Sequence, residues 1–224
     1  MLRHILREAL GAIRKNLLPG FVLQCLLVIF VVAYFCSAGF RDVLGVLADW
    51  KKHYGFFFSF VIYVFAAGLL PEILRVLCFQ RGKILSENRY RALVLSLFWG
   101  TFGIIADLLY RCQGIWFGNG AGWGTLLRKL IVDQFIFAPF FAAPLTATFL
   151  LAVNIHFDRR KFLSSALSTA HLDSIITFQS ASWLVWIPAV LVIYSLPPLL
   201  QIPIAGLISA FWSLTVTTLF LLRK

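Results

Sequence analysis

Apolar runs of about 20 residues recur along this chain, and no other property restricts its folding as much. The most informative run lies at residues 128–151, RKLIVDQFIFAPFFAAPLTATFLL. In water, a helix of this composition would need burial on every side. In a bilayer it needs no such cover, since about 20 apolar residues at 1.5 Å each span the roughly 30 Å of hydrocarbon. The rest of the chain repeats the pattern. Of 224 residues, 61% are apolar and 13% charged, with 23 Phe, whereas soluble domains carry about 25% charge. The fold class expected is all-α: a polytopic transmembrane helical bundle.

The formal charge of +11 comes from 20 basic and 9 acidic residues. Lys and Arg stand in short clusters between the apolar runs, the arrangement that sets topology and meets anionic headgroups rather than nucleic acid. Cys25, Cys36, Cys78 and Cys112 form no CxxC pair and read as small packing residues, without a disulfide framework or metal site. Residues 1–16 are basic through Arg3, Arg7, Arg14 and Lys15, with apolar side chains at helical spacing. They predict an amphipathic surface helix, with an organellar presequence as the competing reading. Residues 17–224 then form a single transmembrane helical domain.

Six spans are expected, at about residues 18–38, 54–79, 92–109, 128–151, 175–196 and 199–222. The last two are joined by little more than Pro197-Pro198, so five is the alternative count if they turn back within the membrane. Residues 40–52 predict a small amphipathic turn at the interface, and the polar stretch 162–177 a surface helix or wide loop. With the N-terminus inside, the outer loops hold only Arg41, Lys51, Lys52, Arg111, Arg128 and Lys129 of the 20 basic residues. That asymmetry favours both ends inside.

Ionisable groups within hydrocarbon need a partner or an aqueous path. Glu72, Asp107, and Asp133 with Gln134 are therefore the pore-lining or gate candidates, together with Lys129. Lys129 and Asp133 are four apart and can pair on one helix face, as can Glu72 with Arg75 at three. Each candidate has a structural reading beside the functional one: a helix–helix clamp for Asp133 and Gln134, an interfacial pair for Glu72, an interfacial position for Asp107. Gly100, Gly103 and Ala138 suit close helix packing. Pro71, Pro139, Pro144 and Pro188 interrupt the helical ladder. No catalytic group emerges: His4, His53, His156 and His171 lie outside the apolar runs, and His156, Asp158, His171 and Asp173 read as a wet loop. No cofactor, metal or nucleic acid is implied. The partners expected are the lipid bilayer and small metabolites, with a homo-oligomer left open.

At residues 129–140, Lys129, Asp133-Gln134 and Ala138-Pro139 resemble the signature of the Mpv-seventeen and peroxisomal membrane protein family of small integral membrane proteins. That family places a Lys shortly before Asp-Gln and follows it with Ala-Pro. Upstream, Gly103 matches the family's Gly and Tyr110 its Tyr, while Ile104, Asp107 and Leu109 replace its Pro, His and Trp. Trp183, Trp186, Pro188, Pro197 and Trp212 resemble the C-terminal pattern. The likeness covers about residues 54–220. It implies a four-span core, to which 18–38 is an addition, in a mitochondrial inner, peroxisomal or similar membrane, and for some members a small-solute pore. The function expected is a weakly selective small-solute channel; a scaffolding membrane protein and a secondary transporter are the alternatives. A bacterial inner membrane is the favoured location, an organellar membrane the other.

Overall fold

The computed structural model describes residue 21 and residues 25–221, and these form helices joined by short turns and loops, without a strand. The amphipathic helix expected at 1–16 and the start of the first expected span lie outside the described residues. Seven helices follow one another: α1 (Cys25–Cys36), α2 (Ala38–Leu77), α3 (Ser86–Phe117), α4 (Trp123–Asn154), α5 (Arg159–Ala166), α6 (Thr169–Ser195) and α7 (Pro198–Leu221). Four of them, α2, α3, α4 and α6, are long and apolar enough to cross a membrane. Less than half of each apolar window is buried inside the bundle. The remainder presents side chains such as Phe57, Leu93 and Phe140 outward, the surface a bilayer covers. The chain is a multi-pass helical membrane protein in its architecture.

Local chemistry explains the helix boundaries. Ser37 starts α2 by accepting from the Phe40 amide (3.2 Å). Asp158 and Ser168 cap α5 and α6 in the same way, each filling amides that have no intrahelical partner. Gly118, at φ +83°, stops α3. Inside α2, Gly55 adopts φ +56°, ψ −125°, a conformation open to glycine because it lacks Cβ. The break divides α2 into an amphipathic first part and an apolar second part, so the interfacial segment expected at 40–52 is a helix joined to its span at Gly55.

The interior is built around α7. From Gln201 to Ala210 every residue but Leu207 is buried, as a helix apolar on all sides requires. It packs against α2, α3 and α6. Gly206 allows the approach to α2, since a Cβ there would meet Ile62 at 3.2 Å. Glycines also set the α2–α3 contact. A Cβ on Gly100 would lie 2.6 Å from the Phe60 ring, and one on Gly103 only 2.5 Å from the Ser59 carbonyl oxygen. Backbone cannot step aside as a side chain can. Gly103→Ala is therefore expected to cost about 1–3 kcal/mol of stability through overpacking. Gly39→Ala, with nothing within 4 Å, is neutral or slightly stabilising. Thermal melts of the detergent-solubilised protein compare the two; equal melting temperatures would refute the close-approach argument.

Two expectations are corrected here. His171 does not lie in a wet loop: it opens α6, is 9% exposed, and its Nε2 lies 3.0 Å from Thr148 Oγ1 on α4. The capped turn at Ser168 aims the ring at α4, which a count of polar residues cannot reveal. Cys25 and Cys36 are not packing residues; both are exposed on α1.

Candidate functional site

The site begins with a proline. Pro139 has no N–H, so a helix passing through it leaves an acceptor without its donor. α4 responds by widening: from Val132 to Ala142 its hydrogen bonds run i to i+5. In that register Pro139 would have served the carbonyl of Gln134. The Trp183 indole of α6 serves it instead, donating from Nε1 at 2.8 Å. With the Gln179 amide turned so that its nitrogen donates to Ala138 O at 3.2 Å, its oxygen lies 2.7 Å from the same indole nitrogen. Prolines and Trp183 thus tie α4 to α6, and the wide turn carries Asp133 and Gln134 inward.

Asp133 is 6% exposed and Gln134 2%. Tyr194 of α6 donates from its hydroxyl to Asp133 Oδ2 at 2.6 Å, and Gln134 Nε2 donates to Oδ1 at 2.8 Å. Gln113 of α3 donates from Nε2 to the Tyr194 hydroxyl at 2.7 Å. A buried chain from Gln113 through Tyr194 to Asp133 therefore links three helices. Three atoms beside it have no hydrogen-bond partner: Gln113 Oε1, Gln134 Oε1 and Lys129 Nζ.

The i, i+4 pair of Lys129 and Asp133 does not form. Lys129 sits 1% exposed with Nζ over the Tyr194 ring, 5.1 Å from its centroid. The helix widens between the two residues, which removes the common face that regular spacing implies, and Tyr194 takes the carboxylate oxygen instead. The ammonium is held by the ring's negative face.

Beside Asp133 and Gln134 lies a cavity of about 70 Å³. Thr146, Gln179, Ser182 and Ser209 contribute polar groups, and Tyr63, Phe102, Phe137, Phe178 and Trp212 contribute rings. An apolar hollow with a few convergent polar groups is the usual form of a small-molecule site. Tyr110, packed edge to face on Tyr194 at 5.1 Å, forms part of its wall. The same residue lines a second recess, of about 440 Å³, with Lys51, Asp107, Arg111, Asn119 and Gln201. One aromatic side chain thus borders both spaces.

Asp107 and Glu72 belong to other clusters. Asp107 pairs with Lys51, accepts from Ser59 Oγ at 2.7 Å through Oδ2, and meets Arg111 Nε at 3.1 Å through Oδ1. Lys51 also donates to the Gly55 carbonyl at 3.0 Å and to Ser59 Oγ at 2.8 Å, so its three protons are all placed. Glu72 does meet Arg75 (3.5 Å), and it also takes Arg91 Nε (3.0 Å) and Asn88 Nδ2 (3.3 Å). Pro71 is buried next to it in α2, and Pro188 lies inside α6. Pro144 opens the regular part of α4 after the wide turns. Tyr194, Gln113, Lys51 and Arg91 are the partners that sequence reasoning missed; only the general need of buried charge for a counter-charge pointed to their existence. Among the described residues no group of His, Cys, Asp and Glu is arranged to hold a metal ion. Comparison with protein-family models, curated proteins and solved structures finds no match to this chain.

Proposed function

We propose that this protein lets small polar solutes cross a membrane, with weak selectivity, along a path beside Asp133. The observation that carries the reading is the place of Tyr110 in the walls of both the cavity at Asp133 and the recess at Asp107. In this reading, displacement of the Tyr110 ring opens one space to the other. The resemblance at residues 129–140 to a family with pore-forming members supports the same reading, and we extend it to a six-span protein of a bacterial inner membrane, with α1 and the central α7 as spans beside the four long helices. The test is solute efflux from liposomes holding the purified protein. Efflux above that of empty liposomes is expected, raised by Tyr110→Ala and altered by Asp133→Asn and by Lys129→Ala. No efflux from folded wild type, with the variants only less heat-stable, would reject conduction.

That rejecting outcome would favour a scaffold. The observation on its side is the saturation of the Lys51–Asp107 cluster, in which each Lys51 proton already has an acceptor. Such a cluster clamps helices and has nothing left to offer a solute.

A further inference from the structure

We propose that the recess beside Asp107 is a lipid site, in which Arg111 holds the phosphate of an anionic membrane phospholipid. The charged residues that line the recess are Lys51, Asp107 and Arg111, so one positive charge is left over. Lys51 and Asp107 have little to spare. The three protons of Lys51 are placed on Asp107, Ser59 and the Gly55 carbonyl. The carboxylate accepts from Lys51 and Ser59 at Oδ2 and from Arg111 at Oδ1, which fills most of the roughly four positions it offers. A cation would find it already answered. Arg111 is the group with unspent capacity. Its Nε is committed to Asp107 at 3.1 Å, its guanidinium carbon stands 4.5 Å from the centre of the Phe56 ring, and its side chain is 51% exposed. The ion pair and the ring together fix the group. Among the described residues neither terminal nitrogen has a hydrogen-bond partner. A guanidinium held this way keeps an outer edge of two parallel N–H groups, which a phosphate oxygen pair accepts bidentately. Asn119 adds an exposed amide to the lining.

Position and shape select a lipid over a free anion. Arg91 and Arg111 stand 20 positions apart on α3, about 30 Å at 1.5 Å per residue. Arg91 belongs to the Glu72 cluster. The two arginines are thus separated by about the thickness of bilayer hydrocarbon, which puts Arg111 at the level of the headgroups. Trp116 and Trp123, 60% and 72% exposed, follow it in the chain, as interfacial aromatics do. The other walls of the recess include Ile115 of α3 and Pro198, Leu199 and Ile202 of α7. These suit the start of an acyl chain and offer nothing to a hydrated ion. At about 440 Å³ the recess has the size of an ordinary small-molecule pocket. Basic pockets between membrane helices are places where anionic headgroups bind. A lipid held here and a solute on the path past Tyr110 would share the recess and compete, but lipid binding requires no conduction.

The experiment is native mass spectrometry of the full chain in nonionic detergent, titrated with phosphatidylglycerol, phosphatidylcholine and soluble glycerol phosphate. Phosphatidylglycerol is expected to bind about tenfold more tightly than phosphatidylcholine, whose headgroup brings its own cation. Glycerol phosphate at equal concentration is expected not to displace it. Arg111→Ala should weaken phosphatidylglycerol binding about tenfold, the value of one charge-assisted hydrogen bond. Arg128→Ala, which removes an exposed charge outside the recess lining, should leave it unchanged. Ile115→Glu brings a negative charge to the recess from a side chain that is 82% exposed. It should give a similar loss without touching the Lys51–Asp107 pair, so the test stands even if Arg111→Ala fails to fold. Equal losses for Arg111→Ala and Arg128→Ala would reduce the effect to general surface charge and overturn the site. Displacement by glycerol phosphate at equal concentration would overturn the lipid as occupant and leave a site for free phosphate esters. Equal retention of both lipids, retention of neither, or binding unchanged by Arg111→Ala and Ile115→Glu overturns the assignment.

Discussion

Asp107→Leu is expected to lower the stability of the detergent-solubilised protein by about 3–5 kcal/mol, the cost of stranding a buried charge by removing its partner. The side chain of Lys51 is 3% exposed and that of Asp107 4%. Without the carboxylate, Lys51 keeps the Gly55 carbonyl and Ser59 as acceptors but has no counter-charge. Arg111 suffers less, because its side chain is 51% exposed and water can solvate it. The double variant Lys51→Met with Asp107→Leu separates the two costs. Replacing a buried pair by apolar residues of similar size is often neutral or stabilising, so it should recover most of the loss. Equilibrium unfolding in mixed micelles, followed through the tryptophans, reads both variants. A single variant within 1 kcal/mol of wild type would show that water reaches Lys51 and that the pair is interfacial.

The same cluster shows how much of the architecture was readable beforehand and where reading stopped. Apolar runs at 54–79, 92–109, 128–151 and 175–196 correspond to the helices α2, α3, α4 and α6 because hydropathy is a local property. The helix break before the apolar part of α2 was also within reach, since Gly55 follows a run of charged residues. The pairing of Lys51 with Asp107 was not, as it joins positions 56 apart. It depends on Gly103, one turn before Asp107, letting α3 approach the backbone of Ser59. Spacing alone made Lys129 the partner of Asp133. The wide turns that undo this come from Pro139 acting together with Trp183, which stands 49 positions from the carbonyl it serves. Local rules located each proline and each buried charge; which charge meets which follows from packing between helices. The central position of α7 has the same origin, because a helix apolar on every side can face lipid or protein equally well.

Glu72→Leu is expected to match the loss at Asp107, again about 3–5 kcal/mol, and for a reason that involves the whole length of the α2–α3 contact. Glu72 holds two guanidinium groups: Arg91 Nε at 3.0 Å and Arg75 Nη1 at 3.5 Å, both side chains nearly buried, at 10% and 12% exposed. Arg91 continues to Asn154 Oδ1 on α4 at 3.2 Å, so one carboxylate organises three helices. Arg91 and Asp107 stand 16 positions apart on α3, about 24 Å at 1.5 Å per residue. The two clusters therefore fasten α2 to α3 at opposite ends of a length close to the roughly 30 Å of bilayer hydrocarbon. Between them the contact is made by glycines and rings at Gly100 and Gly103, which supply fit but no charge. Glu72→Gln keeps an acceptor for Arg91 and loses only the ionic part, so it should fall between wild type and Glu72→Leu. Asn154→Ala, which removes one hydrogen bond from Arg91, should cost about 1 kcal/mol. The measured order Leu, then Gln, then Asn154→Ala would establish the carboxylate as the centre of this clamp. Equal losses for Asn154→Ala and Glu72→Leu would shift that role to Arg91 and its bond to α4.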